Sequence, residues 1–201
     1  MERIIWHWTA GGHKANATDK KHYHIIIEGD GRIVRGNLPI SANEKITGNS
    51  STYAAHTRGL NTGSIGVSLA AMRGAKERPL DVGPSPITNA QIDVLVDQTA
   101  SLCRQYGIPV TRETVLSHAE VEKTLGVKQS GKWDITWLPG MGSVGDAHEI
   151  GDRLRAQVTA AMYPRSTRPA PKPTPRPESP KPANPIADMI AAFLKMFRGN
   201  A

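Results

Sequence analysis

The chain has a single cysteine, Cys103, in 201 residues, so no disulfide can close within it. Nothing marks it as built for an oxidising compartment. Cys103 falls inside IDVLVDQTASLCRQYG, an apparent helix, and reads there as a small buried thiol. No stretch approaches the roughly 20 apolar residues of a membrane span. The opening MERIIWHWTAGG lacks a basic region followed by a long apolar run, so it does not read as a signal peptide. Synthesis and folding in a cytoplasm are expected. Hydrophobic residues are modest at 38%, part of the shortfall lying in a proline-rich tail. Acidic residues are outnumbered 18 to 25, a formal charge of +7. Between Arg165 and Arg198, seven Lys/Arg and two Asp/Glu leave +5 of that +7 in the tail. A basic tail suits a polyanion such as an anionic envelope surface. The domain carries no fingerprint of a nucleic-acid reader, so no such partner is expected.

Residues 1–163 read as one mixed domain. RIIWHW is a short strand. HIIIEGDGRIVRG is a hairpin, with Asp30-Gly31 suited to a type I′ turn. SIGVSLAAM is a third strand, apolar on both faces and so central. PITNAQIDVLVDQTASLCRQYGI is a helix with Asn89 as N-cap and Gly107 as its stop. TVLSHAEV is a strand that ends at a histidine, and AHEIGDRLRAQVTAAM is a closing amphipathic helix. Strands interleaved with helices predict an α/β class domain, a central mixed sheet flanked by helices.

Residues 164–185 hold nine of the fifteen prolines, mixed with Lys, Arg, Ser and Thr. They read as a semi-rigid linker. Residues 186–201 place Ile190, Phe193, Leu194 and Phe197 on one side of a helix. That segment reads as amphipathic, able to lie on a membrane or dock on a partner.

Among the seven histidines, His7 and His118 stand out. Each ends an apolar strand, and two such ends can converge. A zinc site needs a third ligand and, for catalysis, an open fourth position. The Asp of Lys132-Trp133-Asp134 can supply the carboxylate. In HYHIIIEGDG the tempting pair is His22 and His24. Strand alternation puts both on one face and Tyr23 on the other. The expectation is that neither binds metal, His24 packing under the sheet and His22 at the surface. His13 and His148 are expected to be solvated.

In order along the chain, IIWHWTAG, YHIIIEGDGRIVRG, AHTRGLNTGSIGVSL, LSHAEV and KWD together resemble the zinc-dependent N-acetylmuramoyl-L-alanine amidases. That family includes amidase-type phage endolysins, and the peptidoglycan recognition proteins share its fold. The resemblance covers most of residues 3–140. It implies a peptidoglycan recognition protein-like fold, Zn2+ as cofactor and His7, His118 and Asp134 as its ligands. It also implies Tyr23 and Lys132 as catalytic groups and His56 at the substrate cleft. Glu120 falls at an acidic position better suited to support than to catalysis. Two features depart from the family pattern. Fifteen residues separate His118 from Asp134, and the short stretch between His7 and Tyr23 is expected to reduce a helix to a turn. Lys128 lies close enough to rival Lys132.

The implied reaction is hydrolysis of the amide between N-acetylmuramic acid and L-alanine of peptidoglycan. The expected role is a monomeric phage or prophage endolysin, made in the host cytoplasm and acting on the wall after release. Rival readings are a cytoplasmic muropeptide-recycling amidase, a non-catalytic peptidoglycan-binding module and a regulator that acts through the tail.

Overall fold

The computed structural model describes residues 1–163. The expected linker, 164–185, and the C-terminal segment, 186–201, lie outside the described residues. Strands β1 (Arg3–Trp8), β2 (Ile25–Ile27), β3 (Ile33–Arg35), β4 (Ser64–Leu69) and β5 (Val115–Ser117) form one sheet in the order β3-β2-β4-β1-β5. β1 runs parallel to β4 and β5, and β4 runs parallel to β2. Only the β2–β3 pair is antiparallel. The sheet is mixed, and SIGVSL is its central strand, as the sequence predicts. Helices α1 (Ala17–His22), α2 (Asn89–Tyr106), α3 (Val121–Leu125) and α4 (Ala147–Met162) complete the fold. None of the described helices is long and apolar enough to cross a membrane.

The two faces of the sheet differ in chemistry. Ile4, Trp6, Ile65, Val67, Leu69 and Val115 join one hydrophobic cluster with Leu95 and Leu102 of α2 and Leu154 and Val158 of α4. Each such side chain contributes roughly 1.5–3 kcal/mol by leaving water. The Trp6 indole N–H is satisfied inside this layer by Thr99 Oγ1 at 2.9 Å, which pins α2 on β1. Gln91 at the start of α2 donates from its buried amide to the carbonyls of Ile27 and Ala70.

The opposite face carries Ile5 and His7 of β1, Ser64, Gly66 and Ser68 of β4, and Leu116 of β5. β4 is therefore not apolar on both faces. It alternates large and small residues, and the small ones leave room for side chains from the loops above. The fit is tight at Gly66, where a Cβ would lie 2.6 Å from the His56 ring.

Three local expectations are corrected. The β2–β3 turn is not type I′. Gly31 N–H donates to the Glu28 carbonyl at 2.8 Å and Gly31 alone takes a positive φ, 86°. This is a three-residue loop ending in a glycine bulge, with the Asp30 carboxylate accepting from Arg32 N–H. Residues 17–22 form a helix, not a turn. A reciprocal capping box between Asn16 and Asp19 satisfies its first amides and lets six residues suffice. The α2 N-cap is Thr88, whose hydroxyl accepts from Gln91 N–H while the Gln91 side chain returns the bond.

Candidate metal centre

The carboxyl ends of parallel β1 and β5 lie side by side, which is where open α/β sheets gather their ligand-binding groups. His7 sits one residue before the end of β1. His118 follows directly on β5, as the first residue of a 3-10 turn. Asp134 arrives from the far end of a long loop, and three contacts hold it there. Ala119 N–H donates to the Asp134 carbonyl at 2.7 Å. Trp133 packs edge-on against Trp8, with ring centroids 4.5 Å apart. Ile135 is fully buried.

These elements bring three side chains together, all of them buried. His7 Nδ1 and His118 Nδ1 are 3.1 Å apart, and each lies 3.4 Å from Asp134 Oδ2. Among the described residues this is the one His/Cys/Asp/Glu group placed to hold a metal ion. Ligands about 2.0–2.1 Å from a tetrahedral zinc lie roughly 3.3–3.4 Å from one another, so the triangle fits.

The surrounding hydrogen bonds say where the protons are. The Gln129 side-chain nitrogen donates to the carbonyls of Arg58 and Val127, so its oxygen faces His118 Nε2 at 2.9 Å. His118 therefore carries its proton on Nε2. His56 Nε2–H donates to the Ser64 carbonyl at 3.4 Å, which leaves His56 Nδ1 as an acceptor. His7 Nε2–H then donates to His56 Nδ1 at 3.2 Å, beside the Thr57 hydroxyl at 3.3 Å. Both metal-facing Nδ1 atoms are lone pairs. Two lone pairs and a carboxylate oxygen facing one another without a proton form a cage that a cation satisfies. Burial favours the neutral imidazoles that ligation needs. It pushes His7 down to about 4, against the pull of Asp134, and His56 well below its ordinary value.

Tyr23 closes the group from the side of β2. Its ring centroid lies 5.2 Å from that of His7. Burial first, and the Asp134 charge second, push its phenol well above the ordinary value, so it remains an O–H donor. Lys132 is exposed and lines an open cleft of about 440 Å³ together with His56, His118, Gln129, Arg58 and Lys128. Lys132 and Lys128 share this cleft. His56 touches it too, but both of its ring nitrogens are engaged inward, where they orient His7.

Glu120, two residues past His118, is fully buried away from the cluster. Its carboxylate accepts from Arg155 at 2.8 Å and from Ser117 N–H at 2.7 Å. It supports the turn that presents His118. His13 and His148 are not solvated as expected. Each is half-buried, His13 against the Pro86 carbonyl at 2.7 Å and His148 against the Thr124 hydroxyl at 2.9 Å. Thr57 and Gln129 were not singled out from sequence. The Ser-Ile-Gly-Val-Ser-Leu alternation did hold a signal for a small-residue face over the site.

His22 and His24 both stand outside the cluster. His22 is exposed, with Nδ1 3.1 Å from the Ala55 carbonyl. His24 is buried, accepting from Gly66 N–H at 3.0 Å and donating to Asn43 Oδ1 at 3.1 Å. Burial pushes His24 from 6.5 down to about 4. Between those values the unfolded chain binds a proton that the folded chain refuses. Stability is therefore fully present above about pH 6.5 and lost progressively as pH falls toward 4, by up to about 3 kcal/mol from this group. Urea unfolding of the metal-free protein at pH 7.5 and pH 5 is expected to show this loss. The His24→Gln variant should have a shallower pH slope. An unchanged slope would remove His24 from the account.

Fold and site together define an α/β protein with a His/His/carboxylate metal-type centre at its strand ends, open to a cationic cleft. The chain belongs to the N-acetylmuramoyl-L-alanine amidase family, whose sequence profile matches residues 1–140. No curated protein matches it significantly. Among solved structures it is similar to the N-acetylmuramoyl-L-alanine amidase LysC from Clostridium intestinale URNW, at 18% identity and a TM-score of 0.44, over 76% of this chain and 85% of that one. The endolysin amidase LysCS from the same organism matches at 17% and 0.39, over 63% and 85%. AmiD from E. coli, solved with anhydro-N-acetylmuramic acid-L-Ala-D-gamma-Glu-L-Lys, matches at 20% and 0.40, over 59% and 48%.

Proposed function

We propose that this protein is a zinc-dependent endolysin that hydrolyses the amide between N-acetylmuramic acid and L-alanine in peptidoglycan. The observation that carries the reading is the cage of His7, His118 and Asp134, with both Nδ1 lone pairs turned inward, in a chain of this amidase family. Zinc, when bound there, supplies Lewis acidity that polarises a carbonyl and lowers the pKa of water to roughly 7.

The chain's own residues do the rest. The cleft beside His118 admits the stem peptide, with Arg58, Lys128 and Lys132 as cations along it. Negative charge develops on the amide oxygen as the carbonyl carbon is attacked. The Lys132 ammonium and the Tyr23 hydroxyl stabilise that oxygen. His56 and Thr57 hold His7 in register from behind. Because all three ligand positions hold competent donors, a purely binding role is disfavoured. The basic composition of residues 165–198 supports a wall-directed, lytic role for a protein made in a host cytoplasm.

Purified peptidoglycan is the substrate to test, with and without a chelator and with zinc restored. New L-alanine amino termini, lost on chelation and regained with zinc, support the proposal. Intact wall would end the lytic reading, and cleavage of soluble muropeptides alone would favour a recycling amidase. Tyr23→Phe and Lys132→Ala should each keep zinc yet lose about 10²–10³ in kcat, the usual effect of deleting one oxyanion donor. Full turnover in either variant would remove that residue from the chemistry.

A further inference from the structure

The loop between α3 and Asp134 carries Gln129, a buried polar side chain with a fixed orientation. Its amide nitrogen donates to the Arg58 carbonyl at 3.0 Å and the Val127 carbonyl at 3.2 Å. Its backbone N–H donates to Glu122 Oε2 at 3.0 Å. Nearby, Val127 packs with Leu60 and Leu125 against Ile5 and Leu116, which anchors the loop on the sheet. The amide oxygen is left facing one partner, His118 Nε2, at 2.9 Å.

We propose that Gln129 is a positioning residue for His118. It holds the imidazole in its Nε2–H tautomer, so that the Nδ1 lone pair faces His7 and Asp134, and it ties that ring to the Arg58 wall of the cleft. The inference rests on the reading of His7, His118 and Asp134 as metal ligands. The competing arrangement is visible in the same geometry. Asp134 Oδ2 lies 3.4 Å from His118 Nδ1. Without an acceptor at Nε2, the proton is better placed on Nδ1, toward that carboxylate. The ring would then trade a ligand lone pair for a His–Asp hydrogen bond, and metal would have to displace the proton.

Two variants separate the roles of the side chain. Gln129→Leu removes the acceptor and both donors. Gln129→Glu keeps an acceptor toward His118 but faces the Arg58 and Val127 carbonyls with no N–H. Two readouts on the full chain apply: zinc affinity by competition with a chelating dye, and the His118 tautomer in metal-free, 15N-histidine-labelled protein by long-range 1H–15N NMR. Wild type should show Nε2–H alone. Gln129→Leu should weaken zinc binding about 10–100-fold, as outer partners of ligating histidines do, and should show Nδ1–H at His118. Gln129→Glu should keep the Nε2–H tautomer and near wild-type zinc affinity, while KM rises because the cleft wall is untied. Wild-type zinc affinity with Nε2–H alone in Gln129→Leu would overturn the proposal. Should that variant not fold, Nδ1–H at His118 in Gln129→Glu would overturn it instead. If wild type binds no zinc, the metal-centre reading fails, and the tautomer readout still decides what Gln129 does.

Discussion

Replacing Asp134 by alanine is expected to abolish stable zinc binding and to lower amide hydrolysis by roughly a thousandfold or more. The carboxylate is the one anion in the cluster, and without it two neutral imidazoles remain. Catalytic zinc is held by three protein ligands, and two leave it exchangeable. Loss of the ion forfeits several kcal/mol of charge stabilisation in the transition state, and each 1.36 kcal/mol is about tenfold in rate. The fold should survive, because Asp134 is placed by its own backbone carbonyl and by its neighbours Trp133 and Ile135. Metal analysis, steady-state hydrolysis of purified wall and a thermal melt check the three parts. Substantial activity with no bound metal in Asp134→Ala would sink the zinc mechanism. His22→Ala is the control, and it should keep both metal and rate.

Arg155→Met is expected to cost about 3–5 kcal/mol of stability, seen as a fall of roughly 10 °C in melting temperature. Arg155 and Glu120 form an ion pair almost entirely out of water, with side chains 6% and 0% exposed. Arg155 also caps the Val115 carbonyl at the start of β5. Removing the guanidinium leaves a buried carboxylate with Ser117 N–H as its remaining partner, and that is the expensive state. Gly151 in α4 shows how closely the pair is fitted, since a Cβ there would lie 2.3 Å from Glu120 Oε1. Adding Glu120→Leu to Arg155→Met should recover most of the loss, because an apolar pair of similar volume carries no stranded charge. Chemical unfolding of the single and double variants measures both terms. A double variant as unstable as the single one would place the cost in packing and the lost Val115 bond, not in the charge. Because the pair holds the turn after Ser117, the single variant should also weaken zinc binding.

Much of this protein was legible in its sequence because the signals are local. Apolar runs closed by turn residues marked RIIWHW and SIGVSL, and helical spacing marked α2 and α4. Two strands ending in histidine pointed at His7 and His118, and the ordered motifs added Asp134, Tyr23 and Lys132. His22 and His24 do stand outside the metal cluster, but not through strand alternation: His22 ends α1, Tyr23 caps that helix, and His24 precedes β2 with its ring centroid 5.6 Å from that of His56. What stayed hidden depends on how distant segments meet. Strand order set β4 beside β1, so that its small residues face the cluster and admit His56. Loop closure brought Gln129 and Arg58 to one wall and decided which nitrogen of His118 carries its proton. The pairing of Glu120 with Arg155 needed α4 laid across β5. Periodicity and capping act over a few residues and can be read in order. Protonation, convergence and support of a site depend on long-range contacts, which the tertiary structure alone supplies.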